Sequence, residues 1–467
     1  MLQPLPLFGL GNQGKSSNVD AQRRLNLYIE VQQDPEKHVL TLYPTPGLAT
    51  FVNFGATPIR GTYDKSEVFY VVHRNVFYSV ANNGAMTVLG TLATFTGRVS
   101  IADNGTQIII VDGPNGYIYN TVTATFSKIT DTDFPGADTV TFLNGRFIVN
   151  RPGTGQFYES ASYDGLAWDA LEFATAESDP DNLVRVVAEG GQLVLFGDKT
   201  TEFWGDSGNA DFQFSRIGSS AIEWGLAARW SLAKFMDSLI FLRRNRLGAV
   251  QVCVQSGSSA VAVSNPELDS IFDGYVQDNA VSDATGFAYM VSGHPFYQIN
   301  FPSANASWLY DGQSKAWTEL QSSGNRHRGE IQQQYLNKSY VTDFENGKVY
   351  RLETDVFTDD GAPIKRSFTG RHMTKGEYTR LPQIWLEMEM GVGLQVGQGT
   401  DPTVMMEISR DGGHEWSAGR WATFGKAGNY RRRAVWNRNG RSRDWLVRFS
   451  ITDPVKTVLV ACWGKLA

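Results

Sequence analysis

Short apolar or alternating runs, each closed by a polar or glycine-containing turn, recur along the chain from about residue 58 onward. EVFYVV and NVFYSV flank His73-Arg74, and TFL and RFIV flank Asn144-Gly145, a dipeptide typical of two-residue hairpins. QLVLF with TEFW, and FAYMV with FYQINF, continue the pattern, whereas helical periodicity is scarce. The pattern therefore predicts a long series of antiparallel hairpins.

An aromatic–turn–aromatic unit repeats within this series, as YIYNTVTATF from Tyr117 to Phe126 and WLYDGQSKAW from Trp308 to Trp317. The hairpins recur at roughly forty to fifty residues, the period of four-stranded propeller blades. Packing several small twisted sheets around an axis buries faces that one sheet alone leaves in water. We predict an all-β chain with a β-propeller of six or seven blades in residues 58–370; a pair of stacked β-sandwiches is the alternative.

The two ends of the chain differ from this middle part. LPQIWLEMEM, TVMMEIS and WLVRFSI are longer strands and predict a C-terminal β-sandwich in residues 371–467. Residues 1–57 are interrupted by prolines and predict an extended N-terminal arm. Large apolar side chains left in water are unfavourable, so we expect the following arm residues to bury against the sandwich or a neighbouring subunit: Leu5, Leu7, Phe8, Leu25, Tyr28 and Leu40.

Composition narrows the function classes. The chain is 42% hydrophobic and 12% aromatic, enough for a large core, and its net charge of −6 argues against general nucleic-acid binding. The two cysteines, Cys253 and Cys462, exclude a disulfide framework and fit a reducing cytoplasm. No apolar run is long enough to cross a membrane, and the first residues lack the order of a secretion signal, so we expect an intracellular product without a membrane anchor.

Gly9 to Ser16 match the pattern G-x-x-x-x-G-K-[ST] of phosphate-binding loops. Such a loop requires a buried strand before it, but Pro4 and Pro6 interrupt the residues that precede it. No apolar run ending in Asp follows at a distance suited to magnesium. We therefore interpret the segment as part of the arm and predict no nucleotide and no other cofactor.

The sequence evidence for catalytic residues is also weak. Ser409 to Trp416 fit the Asp-box pattern S-x-D-x-G-x-x-W of sialidase propellers, which is a turn device away from catalysis, and we expect Trp416 to be buried over the hairpin. Asp359-Asp360 and the group Glu177, Asp179 and Asp181 are explained by polar loops. The histidines are scattered and the cysteines lie apart, so we predict neither a metal site nor a catalytic residue.

One basic cluster stands out in a chain of negative net charge. With Lys426, Arg448 and the single acidic residue Asp444, it contains Arg431, Arg432, Arg433, Arg438, Arg441 and Arg443. These six arginines predict a docking surface for an acidic partner subunit or for DNA phosphate. The alternative is that they are solvated hairpin loops between the core residues Trp436 and Trp445.

Several segments, taken in order, resemble the packaged-DNA stabilisation, or tail nozzle, proteins of short-tailed bacteriophages. RRLNLYIEV with LYPTPGL is similar to the opening arm of that family, and IRGTY with VFYVV to its first blade. LVLFGDKTTEFWG is similar to a strand–turn–strand of the family. The stretch from RRAVWNRNGRSRDW to the final ACWGKLA is similar to its closing hairpins. The resemblance spans nearly the whole chain, with departures in residues 255–330.

The resemblance implies a structural protein rather than an enzyme. Such proteins form a hexameric ring below the portal and its adaptor, close the DNA-filled head, extend the DNA channel, and mount the tail needle and fibres or spikes. The implied partners are other copies of the chain, the portal-adaptor, those tail parts and the genomic DNA. The implied location is the virion tail, after assembly in the host cytoplasm. The alternative function is a carbohydrate-binding or glycoside-hydrolysing tail propeller, which a pocket with converging arginines and carboxylates would favour.

Overall fold

The computed structural model of the chain describes residues 2–15, 21–32, 40–176, 181–209, 212–218, 222–373 and 377–466. These ranges contain forty-five strands and one α-helix. Seven antiparallel units of four strands follow one another and form a propeller, and a two-sheet sandwich follows them. The predicted all-β fold, with a propeller, an extended arm and a C-terminal sandwich, is confirmed.

The arm supplies five strands: β1 (Leu2–Pro4), β2 (Arg23–Leu25), β3 (Leu27–Val31), β4 (Leu40–Pro44) and β5 (Gly47–Asn53). Blade 1 contains β6 (Ile59–Lys65), β7 (Val68–His73), β8 (Val76–Val80) and β9 (Met86–Thr91). Blade 2 contains β10 (Ser100–Asp103), β11 (Gln107–Val111), β12 (Gly116–Asn120) and β13 (Thr125–Lys128). Blade 3 contains β14 (Val140–Leu143), β15 (Arg146–Asn150), β16 (Gln156–Ala161) and β17 (Asp164–Thr175). Blade 4 contains β18 (Leu183–Glu189), β19 (Gln192–Gly197), β20 (Thr201–Asp206) and β21 (Phe214–Arg216).

Blade 5 contains β23 (Ala233–Phe235), β24 (Ser238–Asn245), β25 (Val250–Ser256) and β26 (Ser259–Ala262), with β22 (Trp224–Leu226) also on β24. The helix α1 (Pro266–Gln277) follows. Blade 6 contains β27 (Thr285–Val291), β28 (His294–Phe301), β29 (Ala306–Asp311) and β30 (Trp317–Ser322), with β31 (Asn325–Arg326) on β30. Blade 7 contains β32 (Gly329–Tyr335), β33 (Lys338–Asp343), β34 (Lys348–Glu353) and β5; β35 (Thr358–Asp359) pairs with β5, and β36 (Ala362–Pro363) pairs with β35. The remaining strands are β37 (Arg366–Met373), β38 (Thr379–Arg380), β39 (Gln383–Met388), β40 (Thr403–Ser409), β41 (Arg420–Thr423), β42 (Ala434–Asn437), β43 (Arg441–Ser442), β44 (Asp444–Ile451) and β45 (Leu459–Lys465).

The propeller closes through a strand from the arm. The innermost strands of blades 7 and 1, β32 and β6, contact each other, and β5 supplies the outer strand of blade 7. It pairs antiparallel with β34, from Gly47 opposite Glu353 to Asn53 opposite Lys348. A Cβ at Gly47 would lie 2.3 Å from the carbonyl oxygen of Val356, so this position admits only glycine without a backbone shift. Closure therefore joins residues about three hundred positions apart.

The hairpin turns follow local chemistry. His73 ends β7, and Arg74 in the turn has a positive φ of 53°. Asn144 and Gly145 both have positive φ, 48° and 86°, between β14 and β15. This is the conformation that a two-residue turn between twisted strands requires. The predicted hairpins at these two turns are confirmed.

The short strand β2 joins the propeller to the sandwich. It pairs in parallel with β30 of blade 6 and antiparallel with β37 of the sandwich, so one continuous sheet crosses the boundary. The buried Asn26 amide next to it donates to the carbonyl oxygens of Gln321 and Lys365, each at 2.9 Å. The domain boundaries at 57/58 and 370/371 stay a prediction. Sheet pairing crosses both of them, because β5 from the arm completes a blade and β37, which belongs to the sandwich sheet, begins before residue 371.

The sandwich core includes side chains from the arm. One sheet contains β3, β4, β45, β39 and β42, with β1 on β45; the other contains β37, β44, β40 and β41. Leu5, Leu7, Leu27 and Ile29 are buried in the same cluster as the fully buried Trp445. Phe8 and Leu40 pack against that cluster, Leu25 is buried, and Tyr28 packs with blade residues. The expected burial of the arm is thus satisfied largely within the chain, because its strands extend the sandwich sheet.

The helix α1 was not expected from the scarce helical periodicity. Asn265 caps its first turn by accepting from the backbone N–H of Leu268, and Pro266 occupies the first helical position. Leu268 and Phe272, four residues apart, are buried on one face. The local signal was therefore present in residues 265–272, and it is the combination of cap, proline and spacing that predicts a helix.

His327, between blades 6 and 7, is expected to make folding sensitive to acid. Its Nδ1 accepts from the backbone N–H of Gly329 at 3.1 Å and faces the Gln298 Nε2 at 3.0 Å. Burial, with Arg326 and Arg328 adding to it, lowers the pKa of His327 to about 4. The unfolded chain, with an imidazole pKa near ~6.5, therefore binds the proton more readily.

We expect the stabilisation due to neutral His327 to be complete above pH ~6.5 and to be lost as the pH falls towards 4, by an amount on the order of 3 kcal/mol. Urea unfolding of the parent chain and of His327→Gln at pH 7.5 and 4.5 measures the difference. The parent should lose more stability than the variant between the two pH values. Equal losses would contradict the assignment of this acid sensitivity to His327.

Candidate docking surface on the C-terminal sandwich

The six predicted arginines all lie on the surface of the sandwich. Arg431, Arg432 and Arg433 precede β42, Arg438 follows it, and Arg441 and Arg443 lie at β43 and just beyond. All six side chains are exposed. We call these six residues the arginine surface. The strand β42 is the edge strand next to β39, so the segment is held at the margin of the sheet.

Alternation in the strands explains why the arginines lie beside aromatic rings. In β39, Ile384 and Leu386 point into the core, so Trp385 between them points outward. The guanidinium carbon of Arg433 lies 4.8 Å from the centroid of the Trp385 ring. Trp385 in turn stacks on Trp463, with centroids 6.1 Å apart. The first group of arginines therefore borders an outward-facing indole pair.

A second aromatic ring lies under the other end of the segment. The guanidinium carbons of Arg441 and Arg443 are 5.1 and 5.7 Å from the ring centroid of Tyr378. Tyr378 is itself 59% exposed, so the contact lies at the surface. Cation–π contacts of this kind hold a guanidinium in place without neutralising its charge.

The loop that carries Arg438 is fixed by a buried amide. Asn439 is fully buried and donates to the carbonyl oxygen of Trp436 at 3.1 Å. Its own oxygens accept from Arg410 at 2.7 Å and from Arg420 at 2.8 Å. Arg438, with a positive φ of 62°, is therefore presented outward from a rigid turn.

The charge of five of these six arginines is not neutralised by a nearby described carboxylate. Asp444, the acidic residue in the segment, accepts two bonds from Arg371, at 2.8 and 2.6 Å. Within the described part of the chain, Arg431, Arg432, Arg433, Arg438 and Arg441 have no carboxylate within 4.0 Å. Exposed arginines on aromatic supports can bind carboxylates or phosphates through their planar N–H groups.

A groove of about 470 Å³ runs beside Arg431, Arg432 and Arg433, and Trp385 and Tyr430 line it. Tyr430 is 74% exposed. The outward aromatics Tyr378, Trp385 and Tyr430 were not among the residues expected from the sequence. For Trp385 a signal existed in the alternation of LPQIWLEM, which places it opposite Ile384 and Leu386.

The two flanking basic residues of the cluster differ from the six. Arg448 binds Glu407 at 2.7 Å and lies 4.2 Å from the centroid of the Trp416 ring. Its charge is therefore paired. Lys426 is exposed.

The Asp box forms a turn at the end of β40. Asp411 accepts from the Ser409 hydroxyl at 2.7 Å and from the backbone N–H groups of His414 and Glu415 at 3.1 and 3.0 Å. The bond from Ser409, followed by that from Glu415, lowers the pKa of the Asp411 carboxyl. Trp416 is only half-buried, so the expectation that it is buried over the hairpin is wrong; the Arg448 guanidinium covers one part of its ring instead.

The glycine-rich segment of the arm contacts the chain through its carbonyl groups. Arg24 donates to the carbonyl oxygens of Gly9 and Leu10 at 2.7 and 3.2 Å, and Asn12 donates to the Trp317 carbonyl at 3.1 Å. A phosphate loop instead turns N–H groups towards its ligand. Ser16 lies outside the described residues. The prediction that no nucleotide binds here stays a prediction, and the docked carbonyls support it.

The acidic groups considered earlier have structural contacts. Asp359 is buried, which raises its pKa to about 6, and it accepts from Ser322 at 2.6 Å. Asp360 accepts from Thr50 at 2.8 Å, and Asp181 from the N–H groups of Lys199 and Thr200. Glu177 and Asp179 lie outside the described residues. Over the ranges that the structure covers, no three His, Cys, Asp or Glu residues are placed to hold a metal ion, and no helix has the length and apolar character of a membrane span.

One cavity of about 660 Å³ lies in the propeller, which we call the axial cavity. It is lined by Ile59 and Glu330 at the starts of the innermost strands β6 and β32, and by Arg98 before β10. Its lining contains one carboxylate, Glu330, which accepts from Arg326 at 2.6 Å. Glycoside hydrolysis ordinarily uses a pair of carboxylates. The lining of this cavity therefore does not provide that pair.

Two family models match nearly the whole chain. Residues 4–357 match the model described as the β-propeller of bacteriophage P22 Gp10, and residues 366–464 match the model of its β-sandwich. The tail hub protein gp10 of Salmonella phage P22 is 23% identical over 231 residues, which are 44% of this chain and 48% of that protein. The alignment thus spans about half the length of this relative.

Two solved structures are similar at lower levels. The extracellular domain of the hybrid two-component system BT4673 of B. thetaiotaomicron has a TM-score of 0.46 and 10% identity, over 74% of this chain and 45% of that one. The Pan2 WD40 domain of Neurospora crassa has a TM-score of 0.41 and 10% identity, over 66% of this chain and 96% of that one.

Proposed function

Because the chain belongs to the bacteriophage P22 Gp10 family, we propose that it is a structural hub, or nozzle, of a short-tailed phage tail rather than an enzyme. In this role it closes the DNA-filled head below the portal-adaptor and extends the DNA channel. It also mounts the tail needle and the fibres or spikes. Six copies form the ring, which is assembled in the host cytoplasm and remains in the virion tail.

The observation that carries this proposal is the arginine surface. It holds exposed guanidinium groups on a sandwich that β2 joins to the propeller by a continuous sheet. The whole chain has a net charge of −6, so this local positive surface is distinct from the rest. An acidic face on the adaptor is its best partner, because planar guanidinium groups on aromatic supports bind carboxylates with defined geometry. DNA phosphate is the other possible ligand.

We expect the triple change Arg431→Glu, Arg432→Glu and Arg433→Glu to leave the fold intact and to prevent docking. Exposed side chains away from packed features change stability little, whereas like charges facing an acidic partner repel it. The measurement adds purified protein to DNA-filled heads that lack it and follows nuclease-accessible DNA. Retained DNA should fall by about ten-fold or more, the factor that ~1.4 kcal/mol represents.

The matched control changes Lys128, Lys199 and Lys315 to Glu, which alters the net charge equally at three exposed propeller positions. This control should retain DNA as the parent does. Equal retention by the arginine triple and the parent would exclude the arginine surface from docking. A second assay measures the binding of purified DNA at low salt. If the parent and the lysine control bind DNA and the arginine triple variant does not, the surface is assigned to phosphate instead.

A further inference from the structure

We propose that the axial cavity is a binding site for a small organic carboxylate, with Arg98 as the group that binds it. This site lies in the propeller, is separate from the arginine surface, and does not depend on the proposed tail function. The argument rests on the position of Arg98, the commitment of the other arginines, and the apolar walls.

The cavity lies at the end of the propeller where the chain enters the innermost strands. Ile59 and Arg60 begin β6, Glu330 lies in β32, and Arg98 lies two residues before β10. Arg74, in the turn between β7 and β8, lines it as well and is exposed. Its volume, about 660 Å³, lies within the range of ~300–1,000 Å³ that small-molecule sites occupy.

Two arginines of the cavity lining already have hydrogen-bond or ion-pair partners within the chain. Arg60 donates to the carbonyl oxygens of Gly97, Arg74 and Thr94, at 2.6, 2.8 and 2.7 Å. Arg326 pairs with Glu330 at 2.6 Å and lies 3.7 Å from the centroid of the Phe344 ring. These two side chains therefore form part of the cavity wall and already have partners within the chain.

Arg98 differs from them. Its Nη1 is buried and has no hydrogen-bond partner in the described residues. Burial lowers the pKa of Arg98 to about 10, and the negative charge of Glu330 only partly offsets this effect. An unpaired buried N–H group is costly to a fold. The Arg98 side chain as a whole is only partly buried and lines the cavity, so its guanidinium can meet a ligand there.

Further positive charge surrounds Arg98. Its guanidinium carbon lies 4.6 Å from the centroid of the Trp230 ring, and that of Arg185 lies 5.6 Å from the same centroid. Arg185 donates to the carbonyl oxygens of Arg229 and Leu232, which carry no full charge. Arg229 pairs with Asp138 at 2.8 Å. One negative charge in the cavity would thus relieve repulsion between Arg98 and Arg185.

The walls decide which anion fits. Pro58, Ile59, Phe95, Ile331 and Phe344 give the cavity a largely apolar lining, and Phe95 is 56% exposed. A phosphate dianion requires several free donors to replace its water, whereas Arg98 and the exposed Arg74 are the uncommitted cations of the lining. A carboxylate on an apolar ring or chain matches one planar guanidinium and an apolar wall.

Benzoate is the probe for this site. We expect benzoate to bind the full chain in a calorimetric titration and to raise its melting temperature. Benzamide, which has the same shape and no charge, should bind at least about ten-fold more weakly, the factor that ~1.4 kcal/mol represents. Arg98→Gln should lose the benzoate effect while melting, without ligand, at the same or a higher temperature than the parent, because the unpaired guanidinium is gone.

Controls separate the alternatives. Arg151→Gln, an exposed arginine that follows β15 and lies outside the cavity lining, should bind benzoate as the parent does. If Arg98→Gln does not fold, Phe95→Ala serves instead, and it should weaken benzoate without changing the binding of acetate. Unchanged benzoate binding in Arg98→Gln, or no binding by the parent, would overturn the proposal.

Two further titrations test the class of ligand. Inorganic phosphate binding as tightly as benzoate, in an Arg98-dependent way, would overturn the choice of a carboxylate. A glutamate-rich peptide that displaces benzoate at lower concentration would overturn the choice of a small molecule, since it carries the same group on a polypeptide.

Discussion

A chain that lacks residues 1–57 is expected to lose the closed propeller, whereas a chain that lacks residues 1–40 is expected to keep it. The first truncation removes β5, which completes blade 7 by pairing with β34, and with it the buried Leu48 and Val52. Each buried apolar side chain contributes ~1.5–3 kcal/mol, and the backbone bonds of a whole strand are lost as well. The total is comparable to the net stability of a domain, about 5–15 kcal/mol.

Hydrogen exchange resolved by segment measures this result. In the chain that starts at residue 41, the amides of β33 and β34 should stay protected. The loss should be confined to the sandwich, whose core includes Leu5, Leu7, Leu27 and Ile29, and to the side of blade 6 that pairs with β2. In the chain that starts at residue 58, protection should be lost in blade 7 and at its junction with blade 1. Equal protection of β34 in both chains would show that β5 is not needed for closure.

Two adjacent arginines of β2 are expected to differ strongly in their effect on stability. Arg24 is 1% exposed and donates to the carbonyl oxygens of Gly9, Leu10 and Trp317. Arg24→Ala should lower the free energy of unfolding by on the order of 3 kcal/mol, because one buried acceptor and two part-buried acceptors lose a charged donor. Urea unfolding, followed by tryptophan fluorescence, measures this loss.

The neighbouring Arg23 is the matched control. It makes two bonds to Glu319, at 2.8 and 3.0 Å, with a side chain that is 47% exposed. Arg23→Ala should cost no more than about 1 kcal/mol, since water replaces an exposed ion pair well. Similar losses for the two variants would mean that Arg24 does not hold the arm to blade 6.

Much of the propeller could be predicted because its information is local. The turns at Arg74 and at Asn144-Gly145 are encoded by residues that adopt positive φ, and the strands beside them alternate or are wholly apolar. The repeating aromatic hairpins then required several sheets around an axis, since one small sheet cannot bury both faces. The helix α1 also had a local signal, in Asn265 and Pro266, but it lies where the repeat pattern was least regular.

Some features of the arginine surface could likewise be predicted from the sequence, and others depend on the tertiary structure. The six arginines are visible in the sequence as a basic cluster in an acidic chain. The aromatic side chains that support them are not visible in this way, because Tyr378 immediately precedes β38 and Trp385 lies in β39. Their rings meet the arginines only through the pairing of β38 with β43 and of β39 with β42. Arg448 differs from the six arginines because it forms an ion pair with Glu407. This pair depends on the register of β44 against β40.

The amino-acid order alone was sufficient for the fold class, the hairpins and the positive segment, since each depends on turn chemistry, alternation or charge within a few tens of residues. Tertiary structure decided that β5 closes blade 7, that β2 joins the propeller to the sandwich, and that Arg98, whose buried Nη1 is unpaired, lines a cavity. These features bring together residues hundreds of positions apart. Which distant strand edge or side chain meets which depends on how the whole chain packs, and no local pattern carries that information.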